Sequence, residues 1–200
     1  TPEPLLTAIA EDIAAKSKGN FLYAYHVLNQ LLAAGVPAAG AKPPALPDGI
    51  EAVYRGFVER DLTSDEERWT AIYRPLLGAI VVARGEGLTR SQLIGITRRT
   101  EAEVDDALET CSEFLVGGDN AQPLRVYHQS FQEFLLADSD PRMYAAARHE
   151  DVATYFLGVH GKAWRKCEDP YALRYTPWHL AEAARGQETK REELVRTLIQ

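Results

Sequence analysis

Cysteine is almost missing from this chain: only Cys111 and Cys167 occur among its 200 residues. With no second Cys or His at zinc-ligand spacing, they suggest neither a disulfide framework nor a structural metal site. Long apolar runs are missing as well. The longest, Leu76 to Ala83, spans eight residues and includes Gly78, whereas a bilayer-crossing helix needs about 20. A positive charge balance is the third absence. Lys plus Arg number 22 against 29 Asp plus Glu, a formal charge of −7, which repels phosphate backbones and anionic membranes. Neither nucleic acid nor membrane is therefore an expected partner. No charged segment followed by an apolar one opens the chain, so no signal peptide is expected, and reduced, cytoplasmic surroundings fit the cysteine usage.

Catalytic signatures are also lacking. There is no G-x-x-x-x-G-K-[ST] loop, no G-x-G-x-x-G, no H-E-x-x-H and no G-x-S-x-G, so phosphate-loop, dinucleotide, zinc-protease and serine-hydrolase chemistries have no anchor. The histidines, at positions 26, 128, 149, 160 and 179, fall in separate predicted elements, and an independent active site is not expected. What is present is 46% hydrophobic and 26% charged content, the balance of a folded globular chain. The chain opens at Thr1 and ends at Gln200 within a helical pattern, which reads as a fragment of a longer protein.

The periodicity predicts a mainly α chain in three parts. Residues 1–62 form a helical domain: Leu5, Leu6, Ile9 and Ile13 share one helical face, and after Gly19 a second helix carries Phe21, Leu22, Tyr25, Leu28 and Leu32. A Pro/Gly-rich linker follows over 35–49. Asp48 and Glu51 have capping-box spacing before a helix from about 50 to 61. Residues 63–137 form a winged-helix domain of three helices and a two-stranded wing. Its helices run from Leu76 to Arg84, from Thr89 to Ile96 and from Thr100 to Cys111. Thr89 with Gln92 and Thr100 with Glu103 are capping boxes, in which hydroxyl and N3 side chain satisfy orphan backbone donors. Phe114–Val116 and Leu124–His128 are the wing strands. Ser130 and Glu133 suggest another box opening a short helix that stops near Asp140–Pro141. Residues 138–200 form a helical linker region with helices over 142–158, 171–185 and 189–199.

A winged helix raises DNA binding as an alternative, because its third helix ordinarily enters the major groove. Charge opposes it here. Glu101, Glu103, Asp105, Asp106, Glu109 and Glu113 mark that helix and its exit, without a Lys or Arg. Nearby Arg90, Arg98 and Arg99 read as a solvated or helix-pairing set. A third possibility is a structural, protein-binding arm without nucleotide contact, with Trp164, Tyr171, Tyr175 and Trp178 as interface residues, although core packing is the commoner fate of aromatics. His128 closes a predicted strand on the face of Leu124 and Val126. Pattern alone makes it a core histidine; the sharper alternative has it pointing at an anion.

The segment VYHQSFQEFLLA, residues 126–137, resembles the F/L-x-H-x-S/T-F/L-x-E-F-L-x-A stretch of the winged-helix domain in NACHT-type signal-transduction ATPases of the STAND class. KSKGNFLYAYHVLNQL, residues 16–31, is similar to the start of the helical domain that follows the ATPase core in that class, and LPDGIEAVYRGFVERDL, residues 46–62, to its next helix. YALRYTPWHLAEA, residues 171–183, resembles the helical linker leading into a repeat domain. The resemblance implies a non-catalytic regulatory arm that closes over a nucleotide-bound ATPase core and couples ADP/ATP state to self-association. His128 would contact the β-phosphate of ADP. Gly19 and Phe21 would sit where the family has a G-x-P turn beside the adenine, with Phe21 replacing the proline; from the residues alone Phe21 is a core anchor. ADP or ATP is implied only for the full-length protein, none for this chain alone. The implied partners are the parent's own ATPase core and a C-terminal repeat domain.

Overall fold

The computed structural model describes residues 3–35, 44–118, 122–137, 143–161 and 163–185. Among them the chain is mainly helical, with one two-stranded antiparallel sheet. The expected helix over 189–199 and the stop at Asp140–Pro141 lie outside the described residues. The chain divides into two compact units, 1–64 and 65–200. None of the described helices is long and apolar enough to cross a membrane.

In the first unit, α1 (Glu3–Ser17) and α2 (Phe21–Ala34) form the expected hairpin, and α3 (Ile50–Phe57) continues into a wider π turn over Val58–Leu62. The turn between α1 and α2 needs positive φ at Lys18 and Gly19, and it delivers Asn20 as the cap of α2. Asn20 Oδ1 accepts from the backbone N–H of Leu22 at 2.9 Å and of Tyr23 at 3.2 Å. Ile9, Ile13, Tyr23, Val27 and Val53 make the core. The end of the linker is pinned to it: Tyr23 Oη donates to the Pro47 carbonyl at 2.6 Å and Lys16 Nζ to that of Leu46 at 3.0 Å. Asp48 does not cap α3. Gly49, at φ +83, takes the cap position with no side-chain bond, and Asp48 lies 3.7 Å from Lys18 Nζ instead.

The second unit begins with α4 (Glu66–Arg68), capped by Asp65, and runs through a π turn over Trp69–Tyr73 into α5 (Arg74–Val82). Every residue from Leu76 to Val82 is buried, the signature of a helix covered on all sides. α6 (Arg90–Thr97) and α7 (Glu101–Thr110) start at Thr89 and Thr100, and both capping boxes are complete. The wing pairs β1 (Leu115–Val116) with β2 (Arg125–Val126), Leu115 opposite Val126. A rung unseen in the sequence joins Leu88 to Leu124, with N–H to O distances of 3.1 and 2.7 Å. It forces glycine at 87, where a Cβ would sit 1.9 Å from the Leu124 carbonyl oxygen.

After the wing, α8 (Gln129–Leu135) starts one residue before Ser130, so the expected Ser130–Glu133 box does not form. Glu133 instead accepts from Gln129 Nε2 at 2.6 Å. α9 (Ala145–His160) packs on α5, α6 and α10 (Pro170–Ala183). Asp169 caps α10 and Pro170 opens it. Replacing Thr100 with Ala removes one side of its box and should cost about 1 kcal/mol in urea unfolding; an unchanged midpoint would show that the cap contributes nothing.

Candidate functional site

His128 is exposed, outside β2, and is not a core histidine. It is the N-cap of α8: its Nδ1 accepts the Ser130 backbone N–H at 3.2 Å and lies 2.8 Å from Ser130 Oγ. An imidazole nitrogen that accepts carries no proton, so the neutral ring carries its proton on Nε2. The cap thereby fixes the tautomer and leaves an exposed ring with one N–H donor to offer.

Gly19 and Phe21 stand together at the α1–α2 turn in the first unit, whereas His128 belongs to the second. Gly19 holds φ +82 with open space where a Cβ would be. Phe21 is 83% exposed and anchors no core. The first position of α2 points away from the face that Tyr23 and Val27 bury. Leu6, Leu28 and Leu32 are also largely exposed and border a groove between α1 and α2.

The acidic surface of α7 is partly closed by arginines. Arg90 bridges Glu101, at 2.7 Å, and Asp105, and Arg68 pairs with Asp106. Arg90 is thus helix-pairing, as one of the sequence-based alternatives had it. Arg98 and Arg99 close no ion pair among the described residues. The tail aromatics mostly serve packing: Tyr171 is buried, Trp178 meets the His149 ring edge-on, and Trp164 lies 4.9 Å from the ring of His160.

Sequence spacing missed a buried hydrogen-bonded relay, because its members are distant in the chain. His149 Nδ1 and His179 Nδ1 are 2.9 Å apart, and His179 Nε2 is 2.9 Å from Tyr171 Oη, which accepts the Arg84 backbone N–H at 3.2 Å. Two nitrogens at that distance share one proton, which requires at least one neutral ring. Burial, then Arg84 and Arg185, push His149 down to about 4; burial, then His149 and Arg84, push His179 down to about 3. Burial raises the Tyr171 hydroxyl, partly offset by the Arg84 N–H. Cys167 Sγ also lies 3.4 Å from His160 Nε2. Among the described residues no three His, Cys, Asp or Glu side chains gather to hold a metal. Compared with protein-family models, curated proteins and solved structures, the chain matches none.

The relay sets an acid limit on stability. Between pH 6.5 and about 4 the unfolded chain takes up protons that the folded histidines refuse. The unfolded state therefore gains as pH falls, and stability declines through that window. His149→Gln keeps a donor and an acceptor without a titrating ring, so urea unfolding between pH 7 and pH 4 should show a shallower loss. Parallel loss in both proteins would remove the relay as the cause.

Proposed function

We propose that this chain is a non-catalytic regulatory arm of a signal-transduction ATPase of the NACHT/STAND kind. It closes over the nucleotide-bound core, with His128 as the residue that meets the diphosphate. One observation carries the proposal: His128 is exposed, and capping α8 commits its Nδ1 as acceptor and so reserves Nε2–H as donor. A phosphate oxygen accepts such a bond without displacing any internal partner of the ring. Phe21 and the apolar rim of Leu6, Leu28 and Leu32 support the arm assignment too, since exposed apolar patches of this kind suit a protein surface.

The switch is a difference in affinity. ADP holds the closed state only if it binds that state better than the open one, and exchange for ATP releases the arm for self-association. A hydrogen bond to a charged group is worth about 1.5 to 3 kcal/mol, a bias of roughly tenfold to a hundredfold. DNA reading is disfavoured by α7, whose carboxylates already hold Arg68 and Arg90.

In the full-length protein, His128→Asp keeps a capping oxygen for the Ser130 N–H while removing the donor and placing a carboxylate before the phosphates. ADP retention should fall at least tenfold and self-association without stimulus should rise, with the melting temperature of this chain little changed. ADP retention and assembly equal to the parent protein would remove His128 from the switch.

A further inference from the structure

A cleft of about 590 Å³ opens in the second unit, lined by the start of α5, the turn from α6 to α7, and α9. Four arginines line it, Arg74, Arg98, Arg99 and Arg148, against one carboxylate, Asp151. This is a concentration of positive charge in a chain whose formal charge is −7. Arg148 meets Asp151 at 3.2 Å, and Arg74 lies over the Tyr144 ring at 5.2 Å from its centroid. Burial raises the Asp151 carboxyl while Arg148 and, less, Arg98 pull it down, so this one carboxylate of the lining is shared between two of the four arginines. The nearby Glu103 is taken up by hydrogen bonds from Thr100. The Nε atoms of both Arg99 and Arg148 are buried and lack an acceptor.

The fold holds these groups in place. A Cβ at Gly78 would lie 2.4 Å from Arg148 Cδ, so glycine there lets the arginine stem cross α5. A Cβ at Gly95 would lie 2.2 Å from the ring of Tyr155, another lining residue, so glycine there lets α9 close on α6. Arg98 ends α6 at φ +55, a left-handed conformation that glycine adopts without strain. By contrast, the cavity beside α10 has polar groups already spent on each other: Gln92 Nε2 donates to Asp169 Oδ2 at 2.8 Å, and Asp169 Oδ1 caps the helix.

We propose that the arginine cleft binds a small ligand carrying two or more phosphate groups, whose oxygens accept the N–H groups that Arg98, Arg99 and Arg148 leave unused. Guanidinium forks match pairs of phosphate oxygens, and an ammonium would not. The volume is that of a site for a metabolite-sized molecule. A long polyanion is excluded from this role by the acidic remainder of the chain. His128 is not among the lining residues, so this site stands apart from the nucleotide switch.

Inorganic pyrophosphate and tripolyphosphate, titrated into the 200-residue chain in about 50 mM salt to limit screening, are the probes. Calorimetry should show saturable binding with Kd below about 1 mM, tighter for tripolyphosphate. Arg98→Gly removes a cation and also relieves the positive φ. The unliganded melting temperature should hold or rise while affinity falls about tenfold, which misfolding cannot produce. Arg99→Gln should weaken binding comparably, and Arg165→Gln, on the turn Trp164–Lys166 outside the cleft, should leave it unchanged. No saturation by about 10 mM, wild-type affinity in both cleft variants, or tighter binding of duplex DNA or a phosphoserine peptide through the same arginines would each overturn the proposal.

Discussion

The second unit depends on a helix that cannot face water on any side. From Leu76 to Val82 every position of α5 is buried, and an apolar surface of that extent has to be covered by other elements. α9 lies along it, α6 and β2 cover other sides, and Gln132 of α8 reaches the Val81 carbonyl. The chemistry follows from that covering. Bringing α9 and α10 together buries His149 against His179, and α9 reaches α5 and α6 only because Gly78 and Gly95 leave room.

Electrostatics divides the arginines of this unit into two groups. Arg68 and Arg90 are closed onto the carboxylates of α7, which consumes the positive charge that a DNA-reading helix would display. Arg98 and Arg99, at the left-handed turn between α6 and α7, close no ion pair with those carboxylates among the described residues, although the charge of Arg99 still acts on Glu103. Surface ion pairs of the first group contribute little to stability. Arg99 keeps a buried Nε without an acceptor, as does Arg148, and such an unmade hydrogen bond costs free energy that an acceptor would offset.

Much of the architecture was legible because local chemistry decides it. Thr89 and Thr100 mark their helices by boxes that need only four consecutive residues, and the structure completes both. The same signature failed at Asp48 and Ser130. Gly49 takes the cap position with no side-chain bond, and His128 offers an acceptor two residues earlier than Ser130. Helical periodicity places α2 well but not the outward direction of its first residue, so Phe21 is exposed where the pattern makes it a core anchor. The relay of His149, His179 and Tyr171 and the arginine cleft were invisible for a different reason. Each joins residues from separate elements, and nothing in local spacing says which helices will meet.

Whether the arm serves a nucleotide switch is tested most directly by sequencing the coding frame upstream of Thr1. A strand, a G-x-x-x-x-G-K-[ST] loop and a helix are expected within roughly 150 to 300 residues, the scale of one domain. A frame that opens on an unrelated domain, with no phosphate loop anywhere in the protein, would contradict it.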